Sequence, residues 1–239
     1  MQKSLLVKLI SFLLLNQLFI NSVFSKNINN QFSTNELESI LNQGKNDLLK
    51  RLFLQESFKN FDKRYTNFIT NYKNTKWSIR NITKHPDKII LNVSITSSRE
   101  IGDEIYNIKS NQTVKIVTFK NKIKSYKVLN EETILKSKGS PLIIEVISPN
   151  KVLTGERYEM NLIVKKPLDK SLIASGLIVL NNKDNKYIYN NNFGIKPSQS
   201  GGLYKYIQAP QEPGFQTISA IIAHPKGIYS ITKKIKVDL

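Results

Sequence analysis

Cysteine is absent from the 239 residues of this sequence. Its absence excludes disulfide bonds, thiolate catalysis, cysteine–zinc sites and acylation as a lipoprotein. An exported protein without cysteine fits a bacterial envelope better than it fits the class of small, disulfide-stabilised secreted modules.

Histidine is nearly absent, since only His85 and His224 occur, and each is followed directly by proline. Both are expected in turns, without the neighbouring ligands that a metal site needs. The chain contains no HExxH, no G-x-S-x-G, and no phosphate-binding glycine loop, because Gly201-Gly202 does not fit that pattern. We therefore predict no catalytic residue, no metal site and no cofactor, and we expect a protein that is not an enzyme.

Long apolar runs are missing after the first 25 residues. Two lysines precede the apolar run Leu9–Phe24, and Val23 and Ser25 fit the small-residue positions of a cleavage site. The pattern predicts a signal peptide over residues 1–25, a flexible leader over 26–33, and export to the periplasm or the exterior. The alternative is an uncleaved segment that holds the protein at the membrane, although the run is shorter than the ~20 apolar residues that span a bilayer.

Acidic residues are half as numerous as basic ones, and the net charge is +18. Residues 26–140 carry +10 and residues 141–239 carry +6, so the excess is not gathered into one stripe. We therefore expect no nucleic-acid partner, while an anionic polysaccharide or a membrane surface stays open. The candidate anion contacts are Lys115, Lys120, Lys122, Lys124 and Lys127. The alternative is an ordinary solvated strand face.

Helical patterns dominate the first part of the mature chain. Ser33 and Glu36 match a capping box, which predicts a helix to about Gln43 that ends at Gly44. Asp47 is expected to cap a second helix. Intervals of three and four predict a third helix with an apolar stripe, and its members are Phe58, Phe61, Tyr65, Phe68, Ile69 and Tyr72.

Past Tyr72 the apolar period changes to two, which predicts strands. They begin at Trp77 and Ile79, continue over 89–95 and 104–119, with a bulge or break near Ser110-Asn111, and end over 123–136. Helices followed by strands predict an α+β domain over residues 34–138, with the helices packed on a curved antiparallel sheet.

This segment resembles the NTF2-like superfamily in element order, in Trp77-Ser78-Ile79 entering the sheet, and in the ending Lys122-Ile123-Lys124 to Glu132-Thr133-Ile134-Leu135. The resemblance implies a cone, in which the enzymes of that superfamily hold carboxylates. The carboxylates here are expected in or beside turns: Asp87, Asp103, Glu104, Glu131 and Glu132. A non-catalytic relative is therefore favoured, and the alternative is a hydrolase or isomerase with a degenerate pocket.

A Lys/Gly/Ser linker over 136–140 is expected before an all-β domain over residues 141–239. Seven short strands predict a β-sandwich. It resembles a cysteine-free bacterial immunoglobulin-like domain in Ser148-Pro149, Thr154-Gly155-Glu156, Gly201-Gly202-Leu203-Tyr204 and Glu212-Pro213-Gly214-Phe215. The resemblance implies a spacer, an adhesion unit or a docking module.

Aromatic residues near an Asn-rich loop are the candidate contacts to a glycan or a partner protein, because their rings combine apolar area with a polar edge. They are Tyr187, Tyr189, Phe193, Tyr204 and Tyr206. The alternative is ordinary strand content. The sequence thus predicts a non-enzymatic envelope protein that binds or scaffolds a partner, such as another envelope protein. The alternative is an NTF2-like enzyme with an accessory sandwich domain.

Overall fold

The computed structural model describes residues 32–85, 88–166, 171–181, 193–198 and 201–239. The predicted signal peptide lies outside these residues, as does most of the leader. The helices that they form are α1 (Thr34–Gln43), α2 (Asn46–Leu52) and α3 (Gln55–Asn71). None of these is long and apolar enough to cross a membrane.

The strands among the described residues follow the helices. They are β1 (Lys73–His85), β2 (Lys88–Ile101), β3 (Glu104–Phe119), β4 (Lys122–Ser137), β5 (Ile144–Ile147), β6 (Lys151–Leu153), β7 (Arg157–Val164), β8 (Ile173–Asn181), β9 (Lys196–Ser198), β10 (Gly202–Gln208), β11 (Gly214–His224) and β12 (Gly227–Asp238). Their assigned pairs are antiparallel apart from β6 with β12. The α+β class is therefore confirmed.

The described chain forms two compact units. The helical unit consists of residues 32–103 and Asn107–Leu129, and the sandwich unit consists of Glu104–Tyr106 and Asn130–Leu239. Strands β3 and β4 therefore contribute residues to both units. Each unit has its own cluster of buried apolar side chains.

Helix α1 begins and ends as the sequence predicts. The Ser33 hydroxyl accepts a hydrogen bond from the Glu36 N–H at 3.2 Å, and Gly44 ends the helix with φ of 68°. The prediction that Asp47 caps α2 is wrong. The helix begins one residue earlier, with Lys45 at its N-cap, so Asp47 lies in the first turn. Its carboxylate there still interacts favourably with the helix dipole.

Aromatic rings of the predicted helical stripe pack against the apolar core of the helical unit. Phe61 stacks on Phe53 with centroids 4.6 Å apart and on Tyr65 at 5.5 Å. Trp77 of β1 lies 6.2 Å from Tyr65 and 6.0 Å from Phe68. The buried Tyr65 hydroxyl donates to the Leu41 carbonyl at 2.9 Å. Rings therefore occupy the space between the helices and the first strands.

Side chains of α1 bind the outer edge of β1, which pairs only with β2 among the described strands. The Asn42 side chain accepts from the Trp77 N–H at 2.8 Å and donates to the Trp77 carbonyl at 2.9 Å. One carboxylate oxygen of Glu38 accepts from the Ile79 N–H at 2.6 Å. These contacts satisfy edge groups that would otherwise be free to pair with another chain.

The substitution Asn42→Ala should destabilise the protein by about 1 to 3 kcal/mol. It removes two hydrogen bonds and leaves the backbone N–H and carbonyl of Trp77 unpaired at the edge of the sheet. Urea unfolding followed by circular dichroism measures the change. The matched control is Gln43→Ala, since Gln43 is a neighbouring amide whose side chain donates within the helix to Ser39. Equal stability of the two variants would contradict the role of Asn42.

Two sheets pack against each other in the sandwich unit. The end of β4 is followed in the larger sheet by β12, β11, β8 and β9, and the smaller sheet has the order β10-β7-β5. Side chains from both sheets share one core, which makes the unit sandwich-like.

The strand predictions differ from the structure at three places. Strands β6 and β9 were not predicted, and β3 continues through Ser110 without a break. The predicted strand 187–189 lies outside the described residues.

The expectation that Glu131 and Glu132 lie in or beside a turn is wrong, because both belong to β4. Glu131 is buried and accepts from the Thr133 hydroxyl at 3.0 Å. Glu132 is opposite Lys233, whose Nζ lies 3.7 Å from the carboxylate. Pairing with β12 thus places the Lys233 ammonium beside the Glu132 carboxylate, whose position inside a strand looks unfavourable from the sequence alone.

Strand β4 continues to Ser137, so the predicted linker 136–140 begins as a strand and continues as a turn.

Lys233 is itself buried, and its Nζ donates to the Ser148 carbonyl at 3.0 Å. Desolvation lowers the pKa of this lysine, and the nearby Glu132 opposes the shift. The lysine therefore links the segment after β5 to β12.

Alkaline pH should weaken the sandwich unit through Tyr229. Burial, with a contribution from the Glu132 charge, raises the pKa of this phenol to about 12. In the unfolded chain the Tyr229 phenol loses its proton near pH 10. The contribution of the protonated phenol to the free energy of unfolding is therefore complete below pH 10 and is lost as the pH rises from 10 to 12. Tyr229→Phe should flatten this part of the pH dependence, as measured by urea midpoints between pH 8 and 12. Parallel curves for the two proteins would contradict the prediction.

Candidate interaction surface

One side of the three-stranded sheet β10-β7-β5 faces the core of the sandwich unit. Tyr158, Met160 and Leu162 of β7 and Leu203 and Ile207 of β10 are buried on that side. Successive side chains of a strand point to opposite sides. The other side, here named the outer face, therefore carries Ile143, Glu145, Ile147, Arg157, Glu159, Asn161, Ile163, Tyr204 and Tyr206.

Strand register sets the neighbours on the outer face. Asn161 lies opposite Tyr204 of β10 on one side and opposite Ile147 of β5 on the other. Tyr206 lies opposite Glu159. Two residues of similar orientation on one strand are separated by about 7 Å, so the tyrosines form a short row beside the polar residues of β7.

Gly202 allows β10 to approach β7 at the start of this row. A Cβ atom at this position would lie 1.9 Å from the Leu162 carbonyl oxygen, and the φ of 132° is unfavourable for other residues. Glycine is therefore required at Gly202 for the register that places Tyr204 and Tyr206.

Four large apolar groups of the outer face are exposed. Tyr204 and Tyr206 are 55% and 63% exposed, and Ile143 and Ile147 are 44% and 48% exposed. Single exposed apolar residues are common on protein surfaces, but a group of them on one face is typical of a binding site.

Polar contacts hold the tyrosine rings in place. Glu159 accepts hydrogen bonds from the Tyr206 hydroxyl and from the Asn161 amide, the latter at 2.8 Å. These two bonds hold the pKa of the Glu159 carboxyl below its usual value. The Arg157 guanidinium lies 4.4 Å from the centre of the Tyr206 ring, and the Tyr204 hydroxyl donates to the Gly201 carbonyl at 3.1 Å. Rings that are already ordered lose less conformational freedom when a partner binds.

The structure separates the five predicted aromatic contacts. Tyr204 and Tyr206 share the outer face, while Tyr187 and Tyr189 lie outside the described residues. The prediction of Phe193 as a contact is wrong, because this ring is buried beside Ile178 and other apolar residues of the larger sheet. Its carbonyl accepts from the Leu177 N–H at 3.2 Å, which fixes Phe193 against β8.

The five predicted basic residues lie along β3, β4 and the turn between them. The turn residues Lys120 and Asn121 have φ of 47° and 61°. Lys120, Lys122 and Lys127 are exposed, whereas Lys115 and Lys124 are half-buried. A role in anion binding stays a prediction.

The two histidines end strands. His85 is the last residue of β1, and His224 is the last residue of β11, where its Nδ1 accepts from the Lys226 N–H at 3.0 Å. Within the described part of the chain, no group of three or more His, Asp and Glu side chains could hold a metal ion.

Sequence reasoning missed the isoleucines and the polar residues of the outer face. Half-buried Ile144 and Val146 alternate with Ile143, Glu145 and Ile147 in the strand, but four of these five residues are apolar, so the sequence shows no period of two here. The neighbours across the strands also have no signal, because residues far apart in sequence determine them.

The substitution Tyr206→Phe should raise the pKa of the Glu159 carboxyl towards its usual value, because it removes the hydroxyl that donates to it. A titration of the side-chain carboxyl carbons by NMR measures the shift. Tyr204→Phe is the matched control, since the Tyr204 hydroxyl donates to Gly201 instead. An unchanged Glu159 titration in Tyr206→Phe would contradict the hydrogen bond.

Comparison with known proteins gives one family. Residues 139–238 match the family described as Domain of unknown function (DUF8623), which covers β5 to β12 but not β4. No curated protein matches the chain. The stretch that carries the outer face is therefore similar to this family.

Proposed function

We propose that this chain is a non-enzymatic, exported binding protein whose outer face docks another protein of the cell envelope. The observation that carries the proposal is the exposed row of Tyr204 and Tyr206 beside isoleucines. The Tyr206 ring is held by Glu159 and Arg157, and the Tyr204 hydroxyl by the Gly201 carbonyl. In this proposal the sandwich unit is immunoglobulin-like and the helical unit is NTF2-like.

The composition of the outer face favours a protein partner over a sugar. Tyrosine and arginine are enriched at the centres of protein interfaces, where a few such residues contribute most of the binding energy. The exposed Ile143 and Ile147 provide apolar area that a polyhydroxylated ligand would not bury against apolar groups of its own. The ion pair between Lys165 and Glu145 lies beside them, where a polar rim is expected.

The core of the helical unit supports a non-catalytic role. Rings of Phe61, Tyr65, Phe68 and Trp77 lie against one another between helices and strands. An NTF2-like hydrolase or isomerase would place polar groups and a substrate in this space. Helices that precede an antiparallel sheet support the NTF2-like assignment, and two sheets that pack without a disulfide support the immunoglobulin-like one. The apolar run Leu9–Phe24 after two lysines supports export.

Photo-crosslinking in the cells that make the protein tests the proposal. Benzoylphenylalanine in place of Tyr204 should form an adduct with one protein, which mass spectrometry identifies. The same group in place of Lys226, an exposed residue of the turn after β11, is the control and should not form that adduct. Failure to crosslink from Tyr204 would contradict docking at the outer face.

Affinity for the purified partner gives a second measurement. The variants Tyr204→Ala and Tyr206→Ala should each weaken binding by about tenfold or more, as expected for a residue worth about 1.4 kcal/mol or more. Leu172→Ala is the control, because Leu172 is 82% exposed and lies outside the outer face. Equal affinity of all three variants would contradict the proposal.

A further inference from the structure

The backbone groups of β10 divide between its two sides. Beyond the ends of the strand, the Val164 N–H donates to the Gly201 carbonyl at 3.0 Å, and the Ala209 N–H donates to the Glu156 carbonyl at 2.8 Å. Hydrogen-bonded pairs alternate along an antiparallel ladder. The backbone groups of Leu203, Lys205 and Ile207 therefore face β7, and those of Gly202, Tyr204, Tyr206 and Gln208 face away.

Side chains close both ends of this outward edge. The Ser198 hydroxyl donates to the Gly202 carbonyl at 2.8 Å, and the Gln216 amide donates to the Gln208 carbonyl at 3.0 Å. Among the described residues, no backbone group pairs with the outward N–H and C=O of Tyr204 and Tyr206. These four groups, here named the free edge, lie between the two closed ends.

We propose that the free edge binds an extended, acidic segment of the partner protein, which adds a fourth, antiparallel strand to the sheet β10-β7-β5. This inference rests on the proposed function and specifies how the partner binds. Main-chain hydrogen bonds to an exposed edge supply affinity, and alternate side chains supply specificity.

The charge of Lys205 selects an acidic segment over a second copy of this chain. Lys205 lies between Tyr204 and Tyr206 in the strand, and its exposed side chain points to the side of the sheet opposite to the two rings. An antiparallel copy centred on the free edge would place Lys205 directly opposite Lys205, and like charges in that position are destabilising. Lysine on an edge strand is one of the ways in which proteins prevent such self-pairing. An acidic residue of the partner segment opposite Lys205 would be attracted to the Lys205 ammonium.

The side chains beside Lys205 set the rest of the pattern. Residues opposite Tyr204 and Tyr206 would lie on the outer face, where aromatic and β-branched pairs across strands are favourable. The recognised segment is therefore an acidic residue between two β-branched residues. Only the two β-branched residues direct their N–H groups to the free edge.

A blocked synthetic peptide, Ser-Thr-Val-Glu-Val-Thr-Ser, tests the inference when it is titrated against the chain by fluorescence anisotropy. Saturable binding is expected. N-methylation of either valine should weaken it by about tenfold or more, because one edge hydrogen bond is lost. N-methylation of the glutamate should change affinity by less than about twofold, because that N–H faces away. Absence of binding, or equal effects of the three N-methyl groups, would overturn the inference.

Variants of the protein give an independent comparison. Tyr206→Pro and Tyr206→Ala both remove the ring, but only proline removes the outward N–H, and proline is tolerated at that side of an edge strand. The proline variant should bind the peptide at least about tenfold more weakly than the alanine variant. Circular dichroism checks that both variants fold.

Charge exchange keeps the test decisive if the proline variant does not fold. Lys205→Glu should prefer the peptide with lysine in place of glutamate, and the wild-type chain should prefer the original. Absence of this reversal would overturn the edge inference. Crosslinking from Tyr204 with no effect of N-methylation would leave outer-face docking supported and the edge inference wrong.

Discussion

Pairing of β12 on both of its sides is the interaction on which the sandwich unit depends. It is bonded to β11 along Gly227–Val237 and to the end of β4 along Tyr229–Lys234. Every residue from Tyr229 to Ile235 is buried, so both sides of this strand are covered. The smaller sheet packs its apolar side against this ladder through Met160, Leu162 and other core residues. The outer face is thereby supported on a rigid element, which a precise binding surface requires.

Local patterns predicted most of the elements because their causes are local. The capping bond of Ser33 spans three residues, and the apolar stripe of α3 repeats every three or four. Interactions between distant residues produced the errors at Glu132 and Phe193. Glu132 is acceptable inside a strand because Lys233, about a hundred positions later, lies opposite it. Phe193 belongs to the core because a neighbouring sheet offers it apolar contacts that the sequence does not reveal.

The candidate surface was predicted only in part for the same reason. Tyr204 and Tyr206 could be proposed because aromatic residues near an Asn-rich loop are visible in the sequence. Arg157 and Glu159 become part of the surface only through the register of β7 against β10. Register depends on pairing between segments about forty residues apart, and a slip of one residue would reverse every side chain. The bonds that order the tyrosines were therefore inaccessible from sequence alone.

The participation of β4 in the sandwich unit has a consequence for any fragment made from the matched stretch. The family match begins at residue 139, after β4 has ended at Ser137, and so excludes the strand that covers one side of β12. A fragment of this chain reduced to the matched stretch would leave Tyr229–Lys234 of β12 without the strand that pairs with them, and an unpaired strand edge promotes association between molecules. Such a fragment would need a substitute strand from another molecule. The sandwich unit of this chain is thus larger than the stretch that matches the family.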